Sequence, residues 1–204
     1  MFTGIVATTG EIQAVEPLGE TEDSGMRLVI HANDLGLSDV GLGDSIAIQG
    51  ACMTVTSMPD ANHFTVDVSR ESLNKTAGLC EPGPVNLEKS LRIGDQIGGH
   101  LVSGHVDGLG HVKRFEPVGE SWTLVVTAPK SLGMYLAYKG SITVNGVSLT
   151  VNEVTDTDIG TEFSINVIPH TIEVTTLKNL KSGDAVNLEV DTIARYVYRM
   201  MAFK

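Results

Sequence analysis

The run DSIAIQGACMTV at 44–55 recurs as GSITVNGVSLTV at 140–151, an offset of 96 residues. Thr3-Gly4-Ile5-Val6 recurs as Ser103-Gly104-His105-Val106, and Phe64–Ser72 recurs as Phe163–Thr171, at offsets of 100 and 99. Val85-Asn86-Leu87-Glu88 returns unchanged as Val186-Asn187-Leu188-Glu189, 101 residues on. Four collinear blocks at a nearly constant offset mark a duplicated domain. A chain of 204 residues accommodates it, because about 100 residues suffice for one small core. The expected organisation is a first domain over 1–97, a second over 98–189 and a tail at 190–204.

Each half alternates as strands do. Ile46 and Ile48 precede Gln49-Gly50, and Ala51, Met53 and Val55 follow; Ile142 and Val144 precede Asn145-Gly146, and Val147, Leu149 and Val151 follow. Asn-Gly between alternating apolar runs is a strong hairpin signal. Turn clusters at 81–84 (EPGP) and 181–184 (KSGD) separate further short strands. Several such strands in each half predict a small closed β barrel. The tail differs, with Ile193, Val197 and Met200 at helical spacing. A helix there either joins subunits through its Val and Met side or folds back on its own barrel.

Composition narrows the function classes. Lys+Arg 14 against Asp+Glu 25 leaves a formal charge of -11, which disfavours nucleic acid or an anionic membrane as partner. No apolar run nears the roughly 18 residues of a membrane span, and the first residues lack a secretory pattern, so the expected location is the cytoplasm. Two cysteines, Cys52 and Cys80, build neither a disulfide framework nor a four-cysteine zinc site.

Alternation also assigns faces. With Val147, Leu149 and Val151 turned inward, Ser148 and Thr150 share the outer face, as do Cys52, Thr54 and Thr56 in the first half. In the segment from Gly98 to Gly108, the same rule puts Ser103, His105 and Asp107 together. An ordinary half-exposed strand explains any one of these residues alone, but their recurrence in both halves argues for a site. Three sharper readings fail. His100, His105 and His111 are not spaced to ligate zinc from one strand face. Gly-Val-Ser-Leu-Thr lacks the second glycine of a hydrolase nucleophile elbow, which removes a triad of Ser148, His105 and an acid. No helix pattern follows the glycines at 98–110, as a dinucleotide-binding fold requires.

These motifs together resemble the riboflavin synthase family of the trimeric alpha type, along essentially the whole chain. The matching pieces are MFTGIV at 1–6, GACMTV at 50–55, IGGHLVSGHVDG at 97–108, GSITVNGVSLTV at 140–151, IPHTIEVTTL at 168–177 and VNLEVD at 186–191. The resemblance implies an all-β fold of two homologous six-stranded antiparallel Greek-key barrels, followed by a C-terminal α-helix that joins three subunits. It implies the last step of riboflavin biosynthesis, a dismutation of two 6,7-dimethyl-8-ribityllumazine molecules. One donates a four-carbon unit to the other, giving riboflavin and 5-amino-6-(D-ribitylamino)uracil without metal or redox cofactor. A lumazine-binding antenna protein that performs no chemistry is the main rival. It is disfavoured because this chain keeps the reactive set, Cys52 included, in both halves.

Carried over by motif, the first barrel holds one lumazine through Gly4, Ile5 and Val6, through Cys52, Met53 and Thr54, and through Asp67, Val68, Ser69, Arg70, Glu71 and Ser72. The second holds the other through Gly104, His105 and Val106, Lys139, Ser148, Leu149 and Thr150, and through Asn166, Val167, Ile168, Pro169, His170 and Thr171. His105, Ser148, Thr150, Cys52 and Asp191 are the positions associated with activity, with His105 moving protons alongside Ser148 and Thr150. The family's complete sites lie between neighbouring subunits of a homotrimer, and an association with lumazine synthase is compatible with the resemblance. His170 stands where many relatives carry Glu.

Overall fold

In the computed structural model, which describes residues 1–203, the duplication becomes two closed barrels of identical topology. The first is built from β1 (Thr8–Pro17), β2 (Met26–His31), β3 (Ser45–Ile48), β4 (Ala51–Ser57), β5 (His63–Val68), the short helix α1 (Arg70–Lys75) and β6 (Gly83–Lys89). The second is built from β7 (Gly108–Val118), β8 (Ser121–Ala128), α2 (Lys130–Gly133), β9 (Ser141–Val144), β10 (Val147–Asp156), β11 (Thr161–Val167), α3 (Pro169–Val174) and β12 (Ala185–Val190). α4 (Thr192–Met201) closes the chain; Lys204, last residue of the expected tail, lies outside the described residues. The strands close in the order β1-β2-β5-β4-β3-β6, and the second barrel repeats that order as β7-β8-β11-β10-β9-β12.

The hairpins behave as their residues demand. Gln49 and Gly50 have φ of 51 and 87 degrees, and Asn145 and Gly146 have 51 and 81 degrees. Two successive positive φ values make the tight turn whose twist matches the flanking strands. Register shifts fall at equivalent places, between Ile12 and Ala14, Val112 and Arg114, Val55 and Ser57, and Val151 and Glu153. Such bulges bend long strands enough for a small sheet to close on itself.

Both barrels are filled rather than hollow. Ile12, Leu28, Ile30, Ile46, Phe64 and Leu87 pack the first interior, and Leu124, Val126, Ile142, Phe163, Ile165 and Leu188 pack the second. Any ligand must therefore sit outside the barrels. β6 and β12 depart from simple alternation, because Val85 to Glu88 and Val186 to Glu189 are buried without a break. Their outward residues are polar: Asn86 and Asn187 are partnered by the other barrel, and Glu88 and Glu189 by the segments that precede β1 and β7.

The partnering of the asparagines is reciprocal. Asn187 Nδ2 donates to Gln49 O at 2.9 Å and to Ala77 O at 3.1 Å, while its Oδ1 accepts from Ala77 N at 2.7 Å. Asn86 Nδ2 donates to Asn145 O at 2.8 Å, and its Oδ1 accepts from Thr176 N at 2.8 Å. Phe2 and Val102 add a two-bond antiparallel bridge between the segments that precede β1 and β7.

One expectation fails here. The segment from Gly98 to Asp107 forms no named strand, so Ser103, His105 and Asp107 do not share a strand face. Gly104 has φ of 79 degrees, and the consecutive N–H groups of Ser103, Gly104 and His105 converge on the Glu189 carboxylate at 2.7, 2.9 and 2.9 Å. Successive strand N–H groups point in opposite directions, so this arrangement is incompatible with the alternation rule. Asp107 instead accepts from Val190 N and forms an ion pair with Arg195, both at 2.8 Å.

The seam between the barrels generates a test. Asn187→Ala removes three hydrogen bonds, the one to Gln49 buried and the two to Ala77 partly buried, and takes the Asn187 side chain from main-chain groups of Gln49 and Ala77. It is expected to destabilise the chain by about 2–4 kcal/mol in urea unfolding. An unchanged midpoint would mean that the seam contributes little.

Candidate functional site

Outer-face positions of β4 and β10 carry the small polar and sulfur groups, as alternation requires. Cys52 and Ser148 are half-buried, whereas Thr54 and Thr150 are exposed. Each of the inner two meets a glycine loop from the opposite barrel. Cys52 N donates to Gly104 O at 2.7 Å, and Ser148 N donates to Gly4 O at 2.7 Å. The fit tolerates no side chain: a Cβ on Gly104 would lie 2.6 Å from Cys52 Cβ, and one on Gly4 would lie 2.6 Å from Ser148 Cβ.

This geometry corrects the grouping expected from sequence. Gly4, Ile5 and Val6 serve the second barrel's strand, and Gly104, His105 and Val106 serve the first's. The expected motifs meet in the structure with their loops exchanged. His105 is thereby taken from Ser148 and Thr150 and placed beside Cys52. The physical cause is the seam, which carries each segment before a barrel across to its neighbour.

A cavity of about 280 Å³ opens at the first site. It is lined by Ala51, Cys52 and Met53 of β4, by Glu71, Ser72, Lys75 and Thr76 on and after α1, and by Gly104, His105 and Val106. α1 is set in place by Ser69, whose side chain accepts from Ser72 N at 3.1 Å in a local helix cap. Lys75 and Glu71 form an exposed ion pair at 2.7 Å across one turn.

Other expected residues lie around this cavity rather than in it. Val68 is core, and Asp67 is held by Arg27 at 2.8 Å on the outer face, where that guanidinium keeps the carboxyl below the usual range. Arg70 faces a different groove, beside the acidic loop containing Glu20, Glu22 and Asp23. A larger hollow of about 460 Å³, bounded by Lys113, Arg114, Glu153 and Glu162, contains none of the expected site residues.

At the second site Ser148 meets an imidazole that motif matching passed over. His100 Nδ1 lies 2.8 Å from Ser148 Oγ, and His100 Nε2 is buried with no hydrogen-bond partner among the described residues. Burial lowers the His100 pKa below the ordinary histidine value, and the charge of Asp191 opposes that shift in part. Asp191 also caps α4 by accepting from Ile193 N at 2.9 Å. His100 precedes the repeat match at Ser103, so the first repeat, which opens at Thr3, has no counterpart to it. Its sequence signal was the Gly-Gly-His before the loop, considered only as part of a zinc triad.

The remaining second-site residues fall on the same pattern. Leu149 and Val167 are core, while Thr150 and Asn166 are exposed on the outer face of β10 and β11. Pro169 opens α3, and Ile168, His170 and Thr171 flank its first turn. Lys139 holds φ of 63 degrees where the first repeat has Gly43 at 90 degrees, and its Nζ donates to Asn152 Oδ1 at 2.9 Å. A lysine in a glycine-favouring conformation argues that its side chain is needed there.

α4 leaves Ile193, Tyr196, Val197 and Met200 exposed, while Arg195 ties its first turns to Asp107 and Tyr198 packs edge-on against Tyr135. Its apolar side does not fold back on its own barrel. No helix among the described residues is long and apolar enough to cross a membrane.

Comparison with known proteins agrees with the duplication. A family model described as the lumazine binding domain matches residues 3–90 and again 103–191. The chain is 42% identical to riboflavin synthase of Mycobacterium tuberculosis over 208 residues, covering 98% of each protein. It is 41% identical to riboflavin synthase of Photobacterium phosphoreum, covering 98% of this chain and 89% of that one. Among solved structures, LumP complexed with riboflavin superposes with a TM-score of 0.79 at 26% identity, over 93% of this chain and 99% of that one.

The His100 environment predicts a titration. Its folded-state pKa is lowered, so as pH falls through about 6.5 the unfolded chain takes up a proton that folded His100 still refuses. Stability contributed by neutral His100 is present above that value and is lost below it. Imidazole NMR should place the His100 titration below 6.5, and His100→Gln should reduce the loss of stability between pH 7 and pH 5. Titration at or above the ordinary value would contradict the burial argument.

Proposed function

The chain belongs to the riboflavin synthase family, and from that premise we propose that each of its two inter-barrel sites holds one 6,7-dimethyl-8-ribityllumazine. Its activity is that of the family: two lumazines are dismutated to riboflavin and 5-amino-6-(D-ribitylamino)uracil. The observation that carries the two-site reading is the pair of matching glycine-loop contacts, Gly104 on Cys52 and Gly4 on Ser148. They repeat in backbone and differ in chemistry. Two copies of one substrate must act as donor and acceptor, so matched sites with unmatched side chains are what the reaction requires.

The flat, acceptor-rich ring suits the main-chain groups of the glycine loops and strand edges. The ribityl hydroxyls suit Ser72, Thr171, Lys139 and their neighbours. Thr54, Asp67, Thr150 and Asn166 extend each site along the outer face. The C7 methyl of a lumazine is acidic because its anion delocalises into the ring. At the second site, His100 stays neutral through burial and accepts that proton by way of Ser148 Oγ. At the first, His105 stands with Cys52 to move protons on the partner ring, and Asp191 tunes His100 through its field.

Positioning is the larger effect. Holding two rings face to face replaces an encounter in solution and removes up to about 7–11 kcal/mol of barrier. Positioned proton carriers add roughly 100- to 10,000-fold. Because the first cavity is open on one side, a second subunit would supply the opposing ring. The exposed apolar side of α4 supports a homotrimer joined through that helix. A cytoplasmic location fits this chemistry, and lumazine synthase, which makes the substrate, is a fitting partner.

Incubating the purified chain with the lumazine alone tests this reading. Riboflavin should accumulate at half the rate of lumazine loss, with no effect of a metal chelator, from a species of three-chain mass in light scattering. Activity abolished by the chelator and restored by zinc would overturn the mechanism.

A further inference from the structure

The repeated Val-Asn-Leu-Glu motif contains two buried carboxylates that the mechanism above does not use. Glu88, 8% exposed, accepts from Thr3 N and Thr3 Oγ1 at 2.7 Å each and from Gly4 N at 3.0 Å. Glu189, 2% exposed, accepts from the three consecutive N–H groups of Ser103, Gly104 and His105. No Lys or Arg pairs with either one among the described residues. Such a group is tolerated in a barrel seam only because several main-chain donors surround it.

We propose that Glu88 and Glu189 are positioning residues acting crosswise, each setting the geometry of the reactive group on the barrel opposite its own strand. Glu189 stands on β12 of the second barrel, yet the loop it gathers presents Gly104 O to Cys52 and His105 to the first cavity. Glu88 stands on β6 of the first barrel, and its loop presents Gly4 O to Ser148. Thr3 O also accepts from His100 N at 3.1 Å, so the same clamp holds the backbone from which the imidazole reaches Ser148.

Gathering consecutive N–H groups on one carboxylate, three at Glu189 and two with a hydroxyl at Glu88, draws the loop into a tight concave turn and aims the carbonyl of its glycine outward. Gln has the volume of Glu but turns an NH₂ group toward main-chain donors, so that turn must open. The consequence for turnover rests on the two-site reading; the crosswise geometry does not.

The test uses the full chain in a Cys80→Ser background, so that Cys52 is the one thiol, with Glu189→Gln and Glu88→Gln made separately. Two probes report independently of catalysis: the alkylation rate of Cys52, and the NMR titration of His100. Glu189→Gln should raise Cys52 alkylation by about 10-fold through local opening and leave the His100 titration in place. Glu88→Gln should move the His100 titration up toward the ordinary value and leave Cys52 alkylation unchanged. Each should lower kcat by about 10-fold or more. Should a Gln variant fail to fold, Thr3→Ala removes one hydroxyl donor from the Glu88 clamp and must give a weaker shift of His100 alone. Both probes moving in both variants, each probe following the glutamate of its own barrel, or unchanged kcat would overturn the proposal. A parent chain that makes no riboflavin would refute the functional reading, while the two probes would still decide the geometry.

Discussion

The asparagine side chains on the outward faces of β6 and β12 can be buried only if something supplies hydrogen bonds to them, and the two barrels do this for each other. A buried amide without partners costs about 1–3 kcal/mol for each group left unpaired. Asn86 and Asn187 avoid that cost through main-chain groups of the opposite repeat, and the cost of separating the barrels is correspondingly high. The rest follows from this seam. Barrel interiors are filled by apolar side chains, so ligand sites must lie outside, and the outer strand faces beside the seam gain a second wall from the opposite repeat. The glycine loops become that wall because the segments before β1 and β7 are carried across it.

Duplication with exchange also explains how near-identical halves acquire different chemistry. The backbone contact between strand amide and glycine carbonyl is 2.7 Å on both sides, so the duplicated backbone makes it twice. Side chains around that contact are free to diverge. Cys52 stands opposite His105, whereas Ser148 stands opposite Ile5 and beside His100. Lys75 on α1 corresponds to Val174 on α3, and Gly43 corresponds to Lys139. Each substitution changes proton or charge chemistry without touching the repeated hydrogen bond.

Much of this was legible in the sequence, and the unread part has a specific cause. Both hairpins, the inward set Val147, Leu149 and Val151, and the outward placement of Cys52 and Ser148 follow from period-two alternation and turn residues, which are local. The pairing of loops with strands is not local. Gly4 and Cys52 belong to one repeat and were grouped for that reason, but nothing in either motif records which barrel the loop touches. The alternation of Ser103, His105 and Asp107 misled because three consecutive N–H groups answer to Glu189, a residue more than 80 positions away. His100 was missed because it has no partner in the repeat. Self-comparison finds what is shared, while catalytic asymmetry resides in what is not.

The central claim is that each ligand site joins a strand of one barrel to the glycine loop of the other. Amide NMR during titration of the full chain with riboflavin tests it most directly. The account predicts that Cys52, Gly104 and His105 shift together along one binding curve, and that Ser148, Gly4 and His100 shift together along another. Amides that grouped by repeat, with Gly4 and Cys52 on one curve and Gly104 and Ser148 on the other, would contradict it.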